Sequence, residues 1–331
     1  MIKIGITGSV ASGKTTASKI ISSRRGPLFS ADKVVKKLYT QNNFKKLIAK
    51  KLNFKLDKEI IATTDLSKAT DADVVLIVTP AQFVRPVCEI ASKNWPSGVP
   101  AIICSKGIEQ DSCALMSEVI GEVLPGKPIA VLSGPAFASE VASNLPTAVT
   151  LASDDETLAK VLMETLNNRF FRIYRSRDII GTQIGGAVKN VLAIACGIIE
   201  GLNLGSNAKS ALITRGLVEI TRLGMAKGAQ AETFYGLSGL GDLTLTCNAM
   251  QSRNFSLGFA LGQGKKLQQI IEERISVTEG VYTASTMVKL AGRLNVNLPI
   301  CSAVDRVLNH GESIDSAINT LLVRPLKVET A

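Results

Sequence analysis

Between residues 60 and 152 the chain repeats one pattern: IIATTD, DADVVLIVTP, PAIICSKG, PIAVLSGP and PTAVTLAS, short β-branched runs separated by helical or turn stretches. Runs that are apolar throughout, without strict alternation, belong to strands covered on both faces, and such strands occur in mostly parallel sheets flanked by helices. MIKIGITG at 1–8 and residues 27–30 read as two earlier strands, and FFRIY at 170–174 as the last. After Asp178 the periodicity becomes helical, with helices expected over 181–203, 206–227, 253–262, 266–273, 283–294, 301–309 and 312–321. The expectation is an α/β domain over 1–179 followed by an all-α domain over 180–331. A length of 331 residues agrees with two domains at roughly 100–200 residues each.

The stretch 181–203, GTQIGGAVKNVLAIACGIIEGLN, joins the two halves. At helical spacing Ile184, Val188, Val191, Ala195, Ile198 and Leu202 form one apolar stripe. Another side carries Thr182, Gly185, Lys189, Ala193, Cys196 and Glu200, so one long cation stands among residues too small to cover it. Each glycine weakens a helix by about 1 kcal/mol relative to alanine, so Gly185 and Gly186 suit the close approach of a ligand or of another backbone. A tightly packed helix with Lys189 snorkelling to water fits the same letters.

Near the beginning, Gly8, Gly13, Lys14 and Thr15 fit the pattern GxxxxGK[ST] between an expected strand and an expected helix. Backbone N–H groups around such a loop form an anion nest, the lysine reaches outer phosphates and the hydroxyl holds Mg²⁺, which makes ATP with Mg²⁺ a candidate ligand. Asp32 follows at about the distance where a dinucleotide-binding unit places its ribose-binding acid.

The formal charge of +10 suits an anionic ligand. Much of it sits in residues 33–58, where nine lysines meet one acid; this reads as a solvated helical face, so no nucleic-acid partner is expected. Six scattered cysteines without a CxxC pair read as reduced, buried thiols, and a single histidine, His310, argues against a zinc site or a histidine-based triad. No metal is expected. Unbroken apolar runs are far shorter than the roughly 18–20 residues that span a bilayer, and the start lacks a signal peptide, so the expectation is a cytoplasmic protein without membrane insertion.

Two resemblances add to this. GITGSVASGKTTASKI followed by SADKVVKKLY, within residues 1–58, resembles the beginning of dephospho-coenzyme A kinases. From about residue 60 to about 322 the chain resembles bacterial NAD(P)-dependent sn-glycerol-3-phosphate dehydrogenases. The motifs are CSKGIE, SGPAFASEVA, GGAVKNVLAIACGI, NAKSALITRGL, GLSGLGDLTLTC, SRNFSLG and VTEGVYTA, in that order. This resemblance implies a Rossmann-like sheet, here opening on a P-loop-like βαβ unit. It also implies hydride transfer between NAD or NADP and a small phosphorylated substrate, with room for a homodimer.

Residue by residue, the resemblance makes Lys189 the general acid/base, with a pKa lowered toward ~7–8 by burial and a neighbouring cation. Asn190, Asp242 and Thr246 orient the lysine and the substrate. Lys106 touches substrate and cofactor, Gly134 and Ala136 line the substrate, and Ser252, Arg253 and Asn254 receive its phosphate. Ala138, Arg253, Val277 and Glu279 contact the cofactor. Singly, Asp242 and Ser252 also read as helix caps. Arg215, Glu219 and Arg222 read as an ion-paired helix face.

Three departures stand out. Ala136 replaces the usual serine, Gln183 replaces an acid before GGA, and the phosphate loop stands where the family has a GxGxxG turn. An ATP-dependent kinase and a binding-only remnant are the alternative functions.

Overall fold

The computed structural model describes residues 4–7, 28–31, 60–63, 65–273, 279–325 and 328. Gly8, Gly13, Lys14, Thr15, Asp32, the lysine-rich segment 33–58 and Val277 lie outside the described residues. Among the described residues eight strands make one sheet: β1 Ile4–Thr7, β2 Leu28–Ala31, β3 Ile60–Thr63, β4 Val74–Ile77, β5 Ala101–Ile103, β6 Ile129–Ser133, β7 Thr147–Ala152 and β8 Phe171–Ser176. Their order is β3-β2-β1-β4-β5-β6-β7-β8. All neighbours pair in parallel except β6 with β7. β4 and β5 are buried at every position, as strands covered on both faces must be.

The helices of the first half are α1 Leu66–Thr70, α2 Val84–Ser92, α3 Met116–Val123, α4 Ala138–Ala142 and α5 Glu156–Leu166. Those of the second half are α6 Ile179–Gly201, α7 Gly205–Ala226, α8 Asp242–Cys247, α9 Arg253–Gly262, α10 Leu267–Glu272, α11 Glu279–Arg293, α12 Pro299–Asn309 and α13 Ile314–Leu322. Several begin where a side-chain oxygen can accept an orphan backbone N–H. Asp65, Asp155 and Asp178 cap α1, α5 and α6 in this way.

Helix α6 differs from its expected two-sided form. Every residue from Gly181 to Gly201 is buried except Glu200, so both sides face protein. By length and composition α6 could cross a membrane, but 89% of its apolar window is buried inside the fold, which makes it the core helix. Helix α9 lies against it at glycines. A Cβ on Gly197 or Gly201 would meet the backbone oxygens of Phe255 and Phe259, and one on Gly258 or Gly262 those of Ile194 and Ile198. Gly185 is explained by a backbone too: a Cβ there would strike the carbonyl of Ser238.

The helical face proposed for Arg215, Glu219 and Arg222 is corrected. Glu219 is 3% exposed and accepts the N–H groups of Ile300 (2.7 Å) and Cys301 (3.1 Å), satisfying the N-terminus of α12, while Arg222 donates to Asn297 O. Pro299 opens this helix without an N–H of its own, and the buried N–H groups of Ile300 and Cys301 that follow it are a stronger demand than an exposed ion pair. Gln183, the residue that replaces an acid, is turned toward α3. Its carboxamide bonds Ser117 N and Ser117 Oγ at the start of α3, fastening the two halves together. The six cysteines are free thiols, five of them buried.

Candidate functional site

Lys106 lies just after β5, Gly134 just after β6, Lys189 in the middle of α6, and Asp242 and Thr246 one turn apart on α8. Four segments far apart in sequence therefore meet. Lys189 Nζ donates to Asp242 Oδ1 and to Thr246 Oγ1 (2.9 Å). Lys106 Nζ donates to the other carboxylate oxygen, Asp242 Oδ2 (2.6 Å), and to Gly134 O (3.0 Å). Thr246 Oγ1 in turn donates to Asp242 O (2.6 Å), which fixes the hydroxyl one turn above the carboxylate.

Asp242 is brought here by a segment whose shape the sequence did not reveal, a π turn over Leu237–Gly241 that runs directly into α8. Its small residues let it press on Gly185, and Gly241 lies beside Pro135 of the loop after β6. The glycine triplet in GLSGLGD was the available signal. Gly186, the second of the adjacent pair in α6, faces the site itself. A Cβ on Gly186 would stand 2.8 Å from Ser133 Oγ and 3.4 Å from Lys106 Cγ. Gly134 has φ +151°, and a Cβ there would come within 2.9 Å of Val149 Cα, so no other residue gives this turn without strain.

The electrostatics follow from burial. Asp242 is 1% exposed and Lys189 is 7% exposed. Burial pulls the Lys189 ammonium down to about 8; Asp242 opposes this and Lys106 adds to it. A lysine so placed can change protonation state near neutral pH, which an exposed lysine cannot.

The remaining expected site residues form an adjoining wall. Ser252 caps α9, its Oγ accepting from Phe255 N (3.2 Å), and Arg253 and Asn254 occupy the first turn. Asn190 is turned away from Lys189: its Oδ1 accepts from Asn254 Nδ2 (2.9 Å), and Asn254 Oδ1 accepts from Gly280 N (3.1 Å) at the start of α11. The two asparagines thus position one another. Glu279 opens α11; burial pushes its carboxyl up, while Arg253, the Ala81 backbone and the two site lysines pull it down. Glu279 therefore stands where α9, α11 and the segment after β4 converge. Ala136 and Ala138 are exposed, the latter opening α4. Asp178, singled out only as a boundary, carries a network of its own, accepting from Gly181 N (2.7 Å), Gln230 N (2.9 Å) and Thr233 Oγ1 (2.6 Å).

A dinucleotide fits this scaffold. The sheet order reverses between β1 and β4, which opens a crevice at the carboxyl ends of the strands, and Lys106 and Gly134 stand at the ends of β5 and β6 on the far side of that switch. Arg253 offers a guanidinium and α9 a helix start for a phosphate.

The chain is similar to known proteins of one family along nearly its whole length. The model for the N-terminus of NAD-dependent glycerol-3-phosphate dehydrogenase matches residues 9–159, and the model for the C-terminus matches 178–319. A glycerol-3-phosphate dehydrogenase [NAD(P)+] of Rhodospirillum rubrum is 59% identical over 275 residues, covering 83% of this chain and 79% of the relative. One from Parvibaculum lavamentivorans is 47% identical over 330 residues, covering 99% and 98%. A crystal structure of glycerol-3-phosphate dehydrogenase from Coxiella burnetii superposes with a TM-score of 0.89 at 35% identity, covering 98% of this chain and 99% of that one.

Proposed function

Because this chain belongs to the NAD-dependent glycerol-3-phosphate dehydrogenase family, we propose that Lys189 is the general acid/base of an NAD(P)-dependent interconversion of sn-glycerol 3-phosphate and dihydroxyacetone phosphate. The observation that carries this is the buried Lys189, held by Asp242 and Thr246 opposite Lys106, with its pKa drawn to about 8.

In the oxidising direction neutral Lys189 takes the proton of the substrate's secondary hydroxyl; in the reducing direction the ammonium returns it to the ketone oxygen. Asp242 and Thr246 aim the amine. Lys106, fixed on Asp242 and on the Gly134 carbonyl, adds positive charge where oxygen becomes anionic. Arg253 and the start of α9, capped by Ser252, receive the substrate phosphate, and the paired Asn190 and Asn254 hold that wall in place. The bound nicotinamide supplies the hydride acceptor or donor. Glu279, Ala138 and the segments after β4, β5 and β6 line its side of the cleft, with residues 1–179 taking the dinucleotide and 180–331 the substrate.

The kinase-like opening is read as part of this dehydrogenase. Its support is that the N-terminal family match spans residues 9–159 and that Gly8, Gly13, Lys14 and Thr15 follow β1 in sequence, the position from which a doubly wound sheet receives a pyrophosphate. The same reading includes a homodimer and a cytoplasmic location.

Purified chain is expected to oxidise NADPH or NADH when given dihydroxyacetone phosphate, followed by loss of absorbance of the reduced cofactor. Lys189→Ala should lower kcat by about 10²–10⁴-fold, the usual scale for removing a general acid/base. Cofactor binding without turnover by folded wild-type chain would sink the catalytic reading and favour a binding-only protein.

A further inference from the structure

Among the described residues β8 is an end strand of the sheet, paired on one side only, and its sequence from residue 167 to 177 is NNRFFRIYRSR, with four arginines and no acid. Burial alternates along it. Phe171 and Ile173 pack with Leu162 and Leu166 of α5, so Arg172 and Tyr174 point to the opposite, uncovered face. Tyr174 is 52% exposed and Phe170 39%. Leu145, 49% exposed, lies two residues before Thr147, whose N–H donates to Phe170 O, so a third apolar side chain belongs to the same corner. Arg169 lies over the Phe170 ring, 5.4 Å from its centroid. The acids nearby are on α5, on the turn before it and on α4: Glu156 holds Arg177 (2.7 Å), Glu164 lies further along that helix, Asp154 and Asp155 precede it, and Glu140 of α4 accepts the Leu145 N–H at its backbone oxygen (3.0 Å). Asp178 is turned inward.

We propose that this edge is a docking surface for an anionic lipid bilayer. Charge complementarity carries the choice of occupant. Arg172 projects from the uncovered face of β8, Arg175 from the other side of the same edge strand, and Arg169 stands in the bend before it, so the guanidinium groups line the edge itself and can grip phosphate oxygens in pairs. A second copy of the chain would bring the same arginines against these. Strand addition is disfavoured as well, because Asn168 Oδ1 accepts from the N–H groups of Phe170 and Phe171 and Asn167 Oδ1 from that of Ile173, leaving side chains to do the recognition. Single-stranded nucleic acid fits less well. The Phe170 face is already covered by Arg169, and an aliphatic Leu145 offers no stacking surface but partitions readily into the boundary between headgroups and acyl chains. The contact lies on the surface and inserts no helix.

The test is sedimentation of the full chain with vesicles of phosphatidylcholine alone and of phosphatidylcholine mixed with phosphatidylglycerol, at low and at high salt. Binding is expected only to the mixed vesicles and is expected to weaken with salt. Arg172→Gln with Arg175→Gln should reduce partitioning about thirty-fold, the scale for two basic residues at an anionic surface, and Tyr174→Ala should reduce it further. Dehydrogenase turnover of each variant serves as the check that the fold is intact, since none of these side chains belongs to the site.

Three results would overturn the proposal. They are no pelleting with mixed vesicles, equal pelleting with phosphatidylcholine alone, and unchanged binding in the double variant, which would move the contact to the lysine-rich segment 33–58. A single-stranded oligonucleotide bound by wild type and lost in the double variant, without vesicle binding, would also overturn it in favour of nucleic acid.

Discussion

At Lys189 opposing influences set one proton affinity: burial pulls it down, the Asp242 carboxylate pulls it up, and Lys106 pulls it down again. Removing the carboxylate's charge therefore has a definite sign. Asp242→Asn should move the pH at which Lys189 becomes a base below about 8, and should lower kcat because the amine loses its fixed direction. The checks are the pH profile and the separate kcat and KM values of the variant. An unmoved profile would mean that another group titrates. Lys189 itself was legible in the sequence as a cation on a face of small residues, and the family motifs supplied its role. What no spacing could show is that Asn190, its immediate neighbour, points elsewhere and fastens Asn254, because one step along a helix turns a side chain by about 100°. Glu219 was misread for a related reason: the helix start that it satisfies lies some eighty residues away, beyond any local pattern.

The element that positions the site is the pair α6 and α9, which approach closely through glycine. Gly258→Ala would press a methyl group onto the Ile194 carbonyl and is expected to cost about 1–3 kcal/mol. Gly292→Ala, in the exposed part of α11 with nothing within 4 Å, should instead stabilise by about 0.5–1 kcal/mol. Denaturant midpoints of the two variants measure the contrast, and equal effects would contradict the packing. The boundaries of α7, α9, α10, α12 and α13 lay close to expectation, since their periodicity is strong and their lengths ordinary. The π turn over Leu237–Gly241 was not legible, because its conformation answers to the backbone of α6 rather than to its own letters. The antiparallel β7 also escaped notice. A buried run of apolar residues carries no mark of its direction.

Across the whole molecule the two halves share one core. The cluster around α6 includes Ile108, Cys113 and Leu115 from the α/β half, and Gln183 and Asp178 tie the same helix to neighbours on each side. Unfolding is therefore expected in a single transition. Fluorescence of the one tryptophan, Trp95, which is buried in the sheet half, should coincide with far-UV circular dichroism, which is dominated by the helices. Separated curves would show that the halves are independent. In the proposed mechanism one amine, on a helix packed against both halves, serves both directions of the reaction. The direct test is the pH dependence of kcat/KM measured both ways. Oxidation of sn-glycerol 3-phosphate should rise with pH through about 8, where Lys189 loses its proton, and reduction of dihydroxyacetone phosphate should fall through the same value. Profiles that are flat from about pH 6 to about pH 10, or that titrate identically in Lys189→Ala, would contradict the assignment of Lys189 as the group that moves the proton.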